Sequence, residues 1–335
     1  MSILFFHFDG TDNSPKDAYS SEQSISSITN VLKSHLLLGG HIKHHTTHKR
    51  DTTLIHSCHR SFYYPGIGTY GHWIEQKLNA VFAIESGHIA HILNRALNDF
   101  KQHYQQSTQQ IVLIGFSRGA ALARRFAALI SPLIDRPIII EAVIDTVASI
   151  GWPNLNMTQR PRTEVVFEQG NTLPSGVQQA LHLVALDEQR IAFRPTLMNQ
   201  DGRVLEIWLA GVHSDIGGGY RKDGIGDLAL RILINWVEQQ TQQPCYQAPR
   251  LMPIQADIWQ SLLTVKPNHL SKIHYQERLS IWRNLTLAPR HCCVLQHDQP
   301  NPKLSPKWHQ SVTQHIRSNL GYFPLAQCPI SATIW

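Results

Sequence analysis

A serine between two glycines is the clearest chemical signal in the sequence. Ser117 is the centre of a Gly-x-Ser-x-Gly pattern whose glycines are Gly115 and Gly119. Four large aliphatic residues, 111–114, precede it and favour a buried strand, while residues 120–130 are rich in helix-forming Ala, Leu and Arg. A strand, a sharp turn and a helix would raise the serine hydroxyl clear of the sheet. We therefore predict that Ser117 is a nucleophile.

A serine hydroxyl becomes nucleophilic only beside a base, and that base needs an acid to orient it. His213 follows the predicted strand 203–209 and is flanked by glycines, so we predict that it is the base. Asp145 directly follows the predicted strand 137–144 and is the predicted acid. Serine, acid and histidine occur along the chain in the order that α/β-hydrolase triads follow.

Each of the last two assignments has an alternative. Asp215 lies two residues after His213, so a short loop could bring it to the imidazole in place of Asp145. Asp215 could instead brace the glycine-rich loop by accepting hydrogen bonds from backbone N–H groups. His309 is the main competitor of His213, because the chain holds 20 histidines.

An oxyanion formed at Ser117 would need two hydrogen-bond donors. The backbone N–H of Arg118 is the first predicted donor, because it directly follows the nucleophile. The second is expected from Gly10 or Thr11, in a polar turn that follows the predicted first strand and begins at Asp9, which we count as a supporting residue. The alternative is that these are ordinary turn residues.

Composition restricts the possible classes of protein. The chain has 335 residues, of which 42% are hydrophobic and 16% charged, as in a globular protein. A net charge of +6 without a long Lys/Arg run does not indicate nucleic-acid binding, although it is compatible with weak contact to anionic lipid. No apolar run reaches the roughly 18 residues needed to span a bilayer. Residues 1–8 are apolar without a basic leader, so we expect a strand rather than a signal peptide and synthesis in the cytoplasm.

Neither cysteines nor histidines indicate a metal or a disulfide framework. The five cysteines are odd in number and lack metal-binding spacing. Four histidines fall within residues 41–48, but that segment is polar and has no carboxylate or thiolate, so we expect a solvated loop. The sequence predicts no metal and no cofactor.

The order of apolar segments predicts an α/β fold: a mostly parallel central sheet with helices on both faces. Further strands are expected at residues 2–8, 61–64 and 180–186, and helices at residues 24–38, 72–104 and 228–239, the second of these in two pieces joined near 86–87. Residues 1–241 are the predicted catalytic core. Residues 242–335, which are richer in proline and contain Trp259, Trp282, Trp308 and Trp335, are predicted to form a loop- and helix-rich extension packed on that core, either as a lid or as an anchored tail.

Several stretches together resemble the catalytic domain of type VI secretion lipase effectors, an α/β-hydrolase family. The resemblance covers roughly residues 3–325. The stretches that carry it are Phe8-Asp9-Gly10-Thr11, residues 63–69, 115–120, 145–151 and 211–220, the pattern Asp187-Glu188-x-Arg190-x-x-Phe193-x-Pro195, and residues 309–312.

The resemblance implies a bacterial phospholipase of A1 or A2 type that a type VI system delivers into the periplasm of rival cells. It also implies peripheral contact with a membrane, a cognate immunity protein and a spike component as partners. The family's nucleophile, acid and base fall on Ser117, Asp145 and His213. Two other functions stay open: a cytoplasmic carboxylesterase or thioesterase acting on a soluble ester, and a non-catalytic binding protein on a hydrolase scaffold.

Overall fold

The computed structural model describes most of the chain: residues 2–11, 13, 28–40, 51–54, 59–67, 84–148, 172–220, 223–247, 262–275, 286–319, 321–329 and 332–335. The histidine-rich segment 41–48 lies outside these residues, as do Trp259 and Trp282, two of the four tryptophans of the C-terminal extension.

A nine-stranded sheet forms the centre of the described structure. The strands, including a separate two-stranded pair formed by β8 and β9, are β1 Ser2–Phe8, β2 Asp51–Leu54, β3 Arg60–Tyr64, β4 Thr108–Phe116, β5 Ile139–Ile144, β6 Val177–Ala185, β7 Val204–Leu209, β8 Leu295–Gln296, β9 Gln299–Pro300, β10 Lys307–Trp308 and β11 Thr333–Ile334. The spatial order is β11-β10-β7-β6-β5-β4-β1-β3-β2. Within this sheet only the pairing of β2 with β3 is antiparallel.

Helices cover both faces of the sheet. They are α1 Asn30–Leu37, α2 Ile84–His103, α3 Arg118–Ile130, α4 His213–Gly217, α5 Gly224–Thr241 and α6 Gln310–Ser318. One apolar cluster joins the sheet to α1 and α5, and a second joins the other face to α2 and α3. Because strands β4 and β5 are buried along their apolar runs, they lack the alternation expected of a half-exposed sheet. None of the helices described combines the length and the apolar composition that a membrane span requires.

The strand order reverses at the centre of the sheet. The chain runs from β1 outward to β3 and then returns to place β4 on the other side of β1. Crevices beyond the carboxyl ends of parallel strands open at such switch points. Ser117 follows β4 directly, so it lies at this edge of the sheet. The architecture is the α/β-hydrolase fold that the sequence predicted.

Three details differ from the sequence-based expectations. Helix α2 runs without a break through residues 86–87, where the junction between two pieces was expected; residues 72–83 of that prediction lie outside the described residues. Strand β2 was not among the predicted strands, because a pattern of four residues is too short to detect. Strand β10, in the C-terminal extension, pairs with β7, so this part of the extension continues the central sheet. The boundary at residue 241 stays a prediction.

Glu141 is an isolated acidic side chain within the core. It lies on β5, on the same face as Ile139 and Val143, and is fully buried. In the described part of the chain neither carboxylate oxygen has a hydrogen-bond partner. Burial raises the pKa of Glu141 to about 7, and the nearby charge of Arg124 only partly opposes this. Below about pH 7 the folded protein therefore favours the protonated carboxyl.

We predict that Glu141→Gln stabilises the protein at alkaline pH. A raised pKa means that wild-type stability is fully present below the unfolded-state pKa and declines as pH rises through the folded-state value. The glutamine cannot ionise, so at pH 8.5 its free energy of unfolding should exceed that of wild type by about 2 kcal/mol. Urea unfolding at pH 8.5 and at pH 5 measures this. At pH 5 the folded forms of both chains are nearly neutral at this position, so the difference should be smaller there, and an equal difference at both pH values would contradict the prediction.

Candidate active site

Ser117 lies in a strained turn between β4 and α3. Its backbone has φ 58° and ψ −126°, a conformation that a side-chain-bearing residue rarely adopts. The flanking glycines permit the turn: a Cβ on Gly115 would lie 2.6 Å from the Cα of Ala120, and one on Gly119 would lie 2.2 Å from the carbonyl oxygen of Phe8. The turn thus has the geometry of a nucleophile elbow.

Asp145 lies in the neighbouring turn, directly after β5. Two backbone hydrogen bonds join the turns: Ser117 N–H donates to the Ile144 oxygen at 3.0 Å, and Val147 N–H donates to the Ser117 oxygen at 3.1 Å. Asp145 has φ 42° and is completely buried. Its Oδ1 accepts the backbone N–H of Ala185 at 3.0 Å. The carboxylate is therefore fixed relative to Ser117 and to β6.

His213 is the first residue of α4 and donates its Nδ1 proton to Asp145 Oδ2 at 2.5 Å. Its ring lies 4.5 Å from the ring of Phe116, the residue before Ser117, and 4.9 Å from Phe193 in an edge contact. Burial lowers the pKa of His213 below its usual value, although Asp145 acts in the opposite direction. The structure therefore brings the three predicted triad segments to one place, and the lowered pKa of His213 favours the neutral imidazole.

Both alternative residues have other partners. Asp215 accepts the Nδ1 proton of His274 at 2.6 Å and the backbone N–H of Val212 at 2.9 Å. It thus braces the loop before α4, as its second interpretation suggested, rather than contacting His213 Nδ1. His309 caps helix α6, where its Nδ1 accepts the N–H of Ser311 at 3.1 Å.

The loop after β1 requires one correction. Gly10 was a candidate oxyanion donor, but its N–H donates to Asp9 Oδ1 at 2.7 Å and is therefore not directed at Ser117. Asp9 is itself fixed by the hydroxyl of Tyr63 at 2.5 Å. The hydroxyl oxygen of Thr11 is buried and has no hydrogen-bond partner in the described part of the chain. Thr11 therefore stays a predicted second donor, together with the backbone N–H of Arg118 at the start of α3.

Two acidic residues after β6 hold the His213 loop. Asp187 Oδ2 accepts the N–H of Gly211 at 2.7 Å, and Glu188 Oε2 accepts the N–H of His213 at 3.3 Å. Arg190 forms an ion pair with Glu188 at 2.7 Å and stacks on the Phe193 ring at 3.6 Å. The Asp-Glu-x-Arg-x-x-Phe pattern therefore positions the histidine. The sequence marked the pattern as part of the resemblance but gave no role for it.

Arg290 is a site residue that the sequence analysis did not identify. It is buried and donates from Nη1 to Asp145 Oδ1 at 2.7 Å and from Nη2 to Asp145 Oδ2 at 2.8 Å. Burial alone would raise the pKa of Asp145, but Arg290 and His213 outweigh it and hold that pKa well below its usual range. Arg290 lies in an irregular segment without a recognisable motif, so only the three-dimensional contact reveals it.

One known family matches most of the chain. The family described as "T6SS, Phospholipase effector Tle1-like, catalytic domain", where T6SS is the type VI secretion system, matches residues 3–134 and 132–240. The chain belongs to this Tle1-like family. Ser117, Asp145 and His213 lie within the matched residues, whereas Arg290 lies beyond them. No curated protein is significantly similar in sequence.

Solved structures similar to this Tle1-like chain are distant in sequence. An uncharacterised protein from Pseudomonas aeruginosa has 18% identity and a TM-score of 0.47, with 79% of this chain and 49% of that chain covered. The Tle1 effector bound to the VgrG spike has 21% identity and a TM-score of 0.37, covering 66% and 51%. The structure reported for the metagenome-derived lipolytic enzymes LipS and LipT has 10% identity and a TM-score of 0.36, with 71% of this chain and 93% of that chain covered. The chain therefore spans about half the length of the first two proteins.

The arrangement suits acyl transfer. A strained serine at a helix start, a neutral buried imidazole and an ionised carboxylate bound to its Nδ1 are the parts of a nucleophile and general-base system. Asp145 fixes the tautomer in which Nε2 can accept a proton. In the Tle1-like chain the low pKa of His213 means that this state is the populated one at neutral pH.

We predict that His213 titrates below its ordinary pKa of about 6.5. Nitrogen NMR of histidine-labelled protein should show the Nδ1-protonated, neutral ring at pH 7, with the signals assigned by their loss in His213→Gln. His309 provides an internal reference, because burial and nearby His269 lower its pKa to about 4. A His213 ring that is already cationic at pH 7 would disprove the expectation.

Proposed function

We propose that the chain is a serine hydrolase that cleaves acyl esters of phospholipids through a covalent acyl-enzyme. The observation that carries the proposal is the hydrogen bond from His213 Nδ1 to Asp145. The ring of His213 also packs on Phe116, the residue that precedes the strained Ser117. Family membership supports the substrate class, since the matching family is one of phospholipase effectors.

In the first half-reaction Ser117 Oγ attacks the ester carbonyl carbon while its proton moves to His213 Nε2. Asp145 stabilises the resulting imidazolium through its bond to Nδ1 and stays ionised. The carbonyl oxygen gains the negative charge, which the Arg118 N–H and the Thr11 loop stabilise. The tetrahedral intermediate then breaks its carbon–oxygen bond to the leaving alcohol. His213 returns the proton to that oxygen, so a lysophospholipid leaves and the acyl group stays on Ser117.

In the second half-reaction water replaces the alcohol. His213 Nε2 takes a proton from the water, whose oxygen attacks the acyl carbon. Collapse of the second tetrahedral intermediate breaks the bond to Ser117 Oγ, which recovers its proton from His213. A fatty acid is released and the starting protonation state is restored.

The proposal extends to the biological setting. A phospholipase of A1 or A2 type would act on a target-cell membrane after delivery by a type VI system, with the periplasm as its site of action. A spike component would carry it, and an immunity protein in the producing cell would block it. Support for this setting comes from membership of the type VI phospholipase-effector family.

Substituting Ser117 tests the mechanism. Ser117→Ala should lower ester hydrolysis by at least about 10³-fold without unfolding the protein, because the attacking oxygen is lost. A fluorophosphonate probe should label wild-type protein at Ser117 and leave this variant unlabelled. Ser107→Ala is the matched control, since Ser107 is exposed and bonds only to nearby Gln105 in the described structure. Full hydrolysis by the Ser117 variant would overturn the mechanism.

Product analysis tests the substrate class. Wild-type protein incubated with phospholipid vesicles should release fatty acid and lysophospholipid in equal amounts, and vesicles with different acyl chains at the two positions distinguish A1 from A2 cleavage. A parallel panel of soluble esters and thioesters serves as the comparison. If soluble esters are cleaved while vesicles stay intact, the chain is an esterase and the phospholipid assignment is wrong.

A further inference from the structure

We propose that Arg290 is a fourth functional member of the site, a positioning residue that fixes Asp145 and limits the basicity of His213. The inference deepens the proposed function and rests on it. Arg290 lies outside the residues that match the family, which end at 240. The catalytic unit of this chain would therefore include part of its C-terminal extension.

The contacts of Arg290 join three parts of the site. Two guanidinium nitrogens donate to the two oxygens of Asp145, which fixes the plane of the carboxylate. Nη1 also donates to the carbonyl oxygen of Ala185 at 2.8 Å, and Nη2 to that of Phe193 at 2.5 Å. Ala185 ends β6, and Phe193 places its ring edge against His213. One side chain thus holds the acid, the adjacent strand end and the residue packed on the base.

The backbone around Arg290 is itself anchored. Ala288 N–H donates to the Gln189 oxygen at 2.8 Å, and Gln327 N–H donates to the Arg290 oxygen at 2.7 Å. Gln327 in turn accepts the N–H of Cys292 at 3.0 Å. The arginine side chain is only 2% exposed. It therefore reaches Asp145 from a fixed base rather than from a loose tail.

The charge of Arg290 has a specific consequence for His213. Asp145 Oδ2 accepts one hydrogen bond from His213 and another from Arg290, so the same negative charge serves two cations once the imidazole is protonated. A carboxylate already paired with a guanidinium stabilises an imidazolium less than a free one. Arg290 therefore favours neutral His213, the form that acts as a base.

A purely structural role would give a different result. Removing one partner of a buried ion pair is destabilising whatever the chemistry, because the other charge is left uncompensated. Loss of stability or rate in an Arg290 variant is therefore insufficient as evidence. The proton affinity of His213 distinguishes the two roles, since it changes only if the charge of Arg290 acts through Asp145.

The rate of fluorophosphonate labelling at Ser117 as a function of pH measures this, and it requires no knowledge of the natural ester. In wild-type protein the rate should fall as pH decreases through the pKa of His213. In Arg290→Met the acidic limb should move to higher pH by about one unit, and the maximal rate should fall by about 100-fold as Asp145 loses its fixed orientation. Arg290→Lys keeps the positive charge but loses the two-nitrogen contact to Asp145. The pH at which its labelling rate falls should therefore stay near that of wild type, while its maximal rate is reduced.

Two further variants complete the design. Arg290→Gln keeps a hydrogen-bond donor without the charge, and its labelling rate should show the same shift to higher pH. It serves as the test if the methionine variant does not fold. Arg203→Met is the matched control, because Arg203 also binds an aspartate with two nitrogens, Nε to Asp201 Oδ1 at 3.0 Å and Nη2 to Oδ2 at 2.7 Å. Its limb and rate should equal those of wild type.

The outcomes separate this inference from the proposed function. A labelled wild type whose Arg290→Met and Arg290→Gln variants keep the wild-type limb would overturn the role of Arg290 and leave the serine mechanism intact. A wild type that does not react at Ser117 would overturn the proposed function and, with it, this inference. A shifted limb in the two neutral variants but not in Arg290→Lys would establish the charge of Arg290 as part of the site.

Discussion

Burial of one negative charge organises the site. Asp145 is fully buried, and an isolated carboxylate in that position would be protonated rather than ionised. Its charge is kept by a guanidinium, by an imidazole N–H and by the backbone N–H of Ala185. These donors come from separate parts of the chain. The ionised acid thus depends on the correct assembly of β5, β6, α4 and the segment that contains Arg290.

Two other aspartates of the site also have partners in the C-terminal extension. Asp215 takes its partner, His274, from beyond residue 241. Asp187 is bonded by the Tyr322 hydroxyl at 2.9 Å and by the Leu325 N–H at 3.0 Å. Since Asp187 and Asp215 both hold the loop that presents His213, the described part of the C-terminal extension supports the base as well as the acid. The described contacts therefore give this part of the extension a structural role.

Sequence reasoning proposed site residues where local pattern and chemistry coincide. Ser117, Asp145 and His213 each follow a strongly apolar strand, so their strand-end positions could be inferred from short windows. The sequence could not show that the N–H of Gly10, a predicted oxyanion donor, binds the side chain of the preceding residue, because no sequence pattern reports such a contact. Arg290 could not be found at all, because its segment has no periodicity and its partner lies 145 residues away.

The charge of the hydrogen-bond partners decides whether the pKa of a buried carboxyl is raised or lowered. Asp223 has backbone N–H donors, and burial followed by the charge of Asp215 raises its pKa to about 8. Asp187 has only neutral donors, and burial raises its pKa to about 6. Asp145 is buried at least as completely as either, yet its pKa is lowered, and it is the one of the three that binds an arginine. An imidazolium is stabilised by a carboxylate only while that carboxylate stays charged. Arg290 supplies a permanent positive charge that helps to keep this buried acid ionised, together with the His213 ring N–H and the Ala185 backbone N–H.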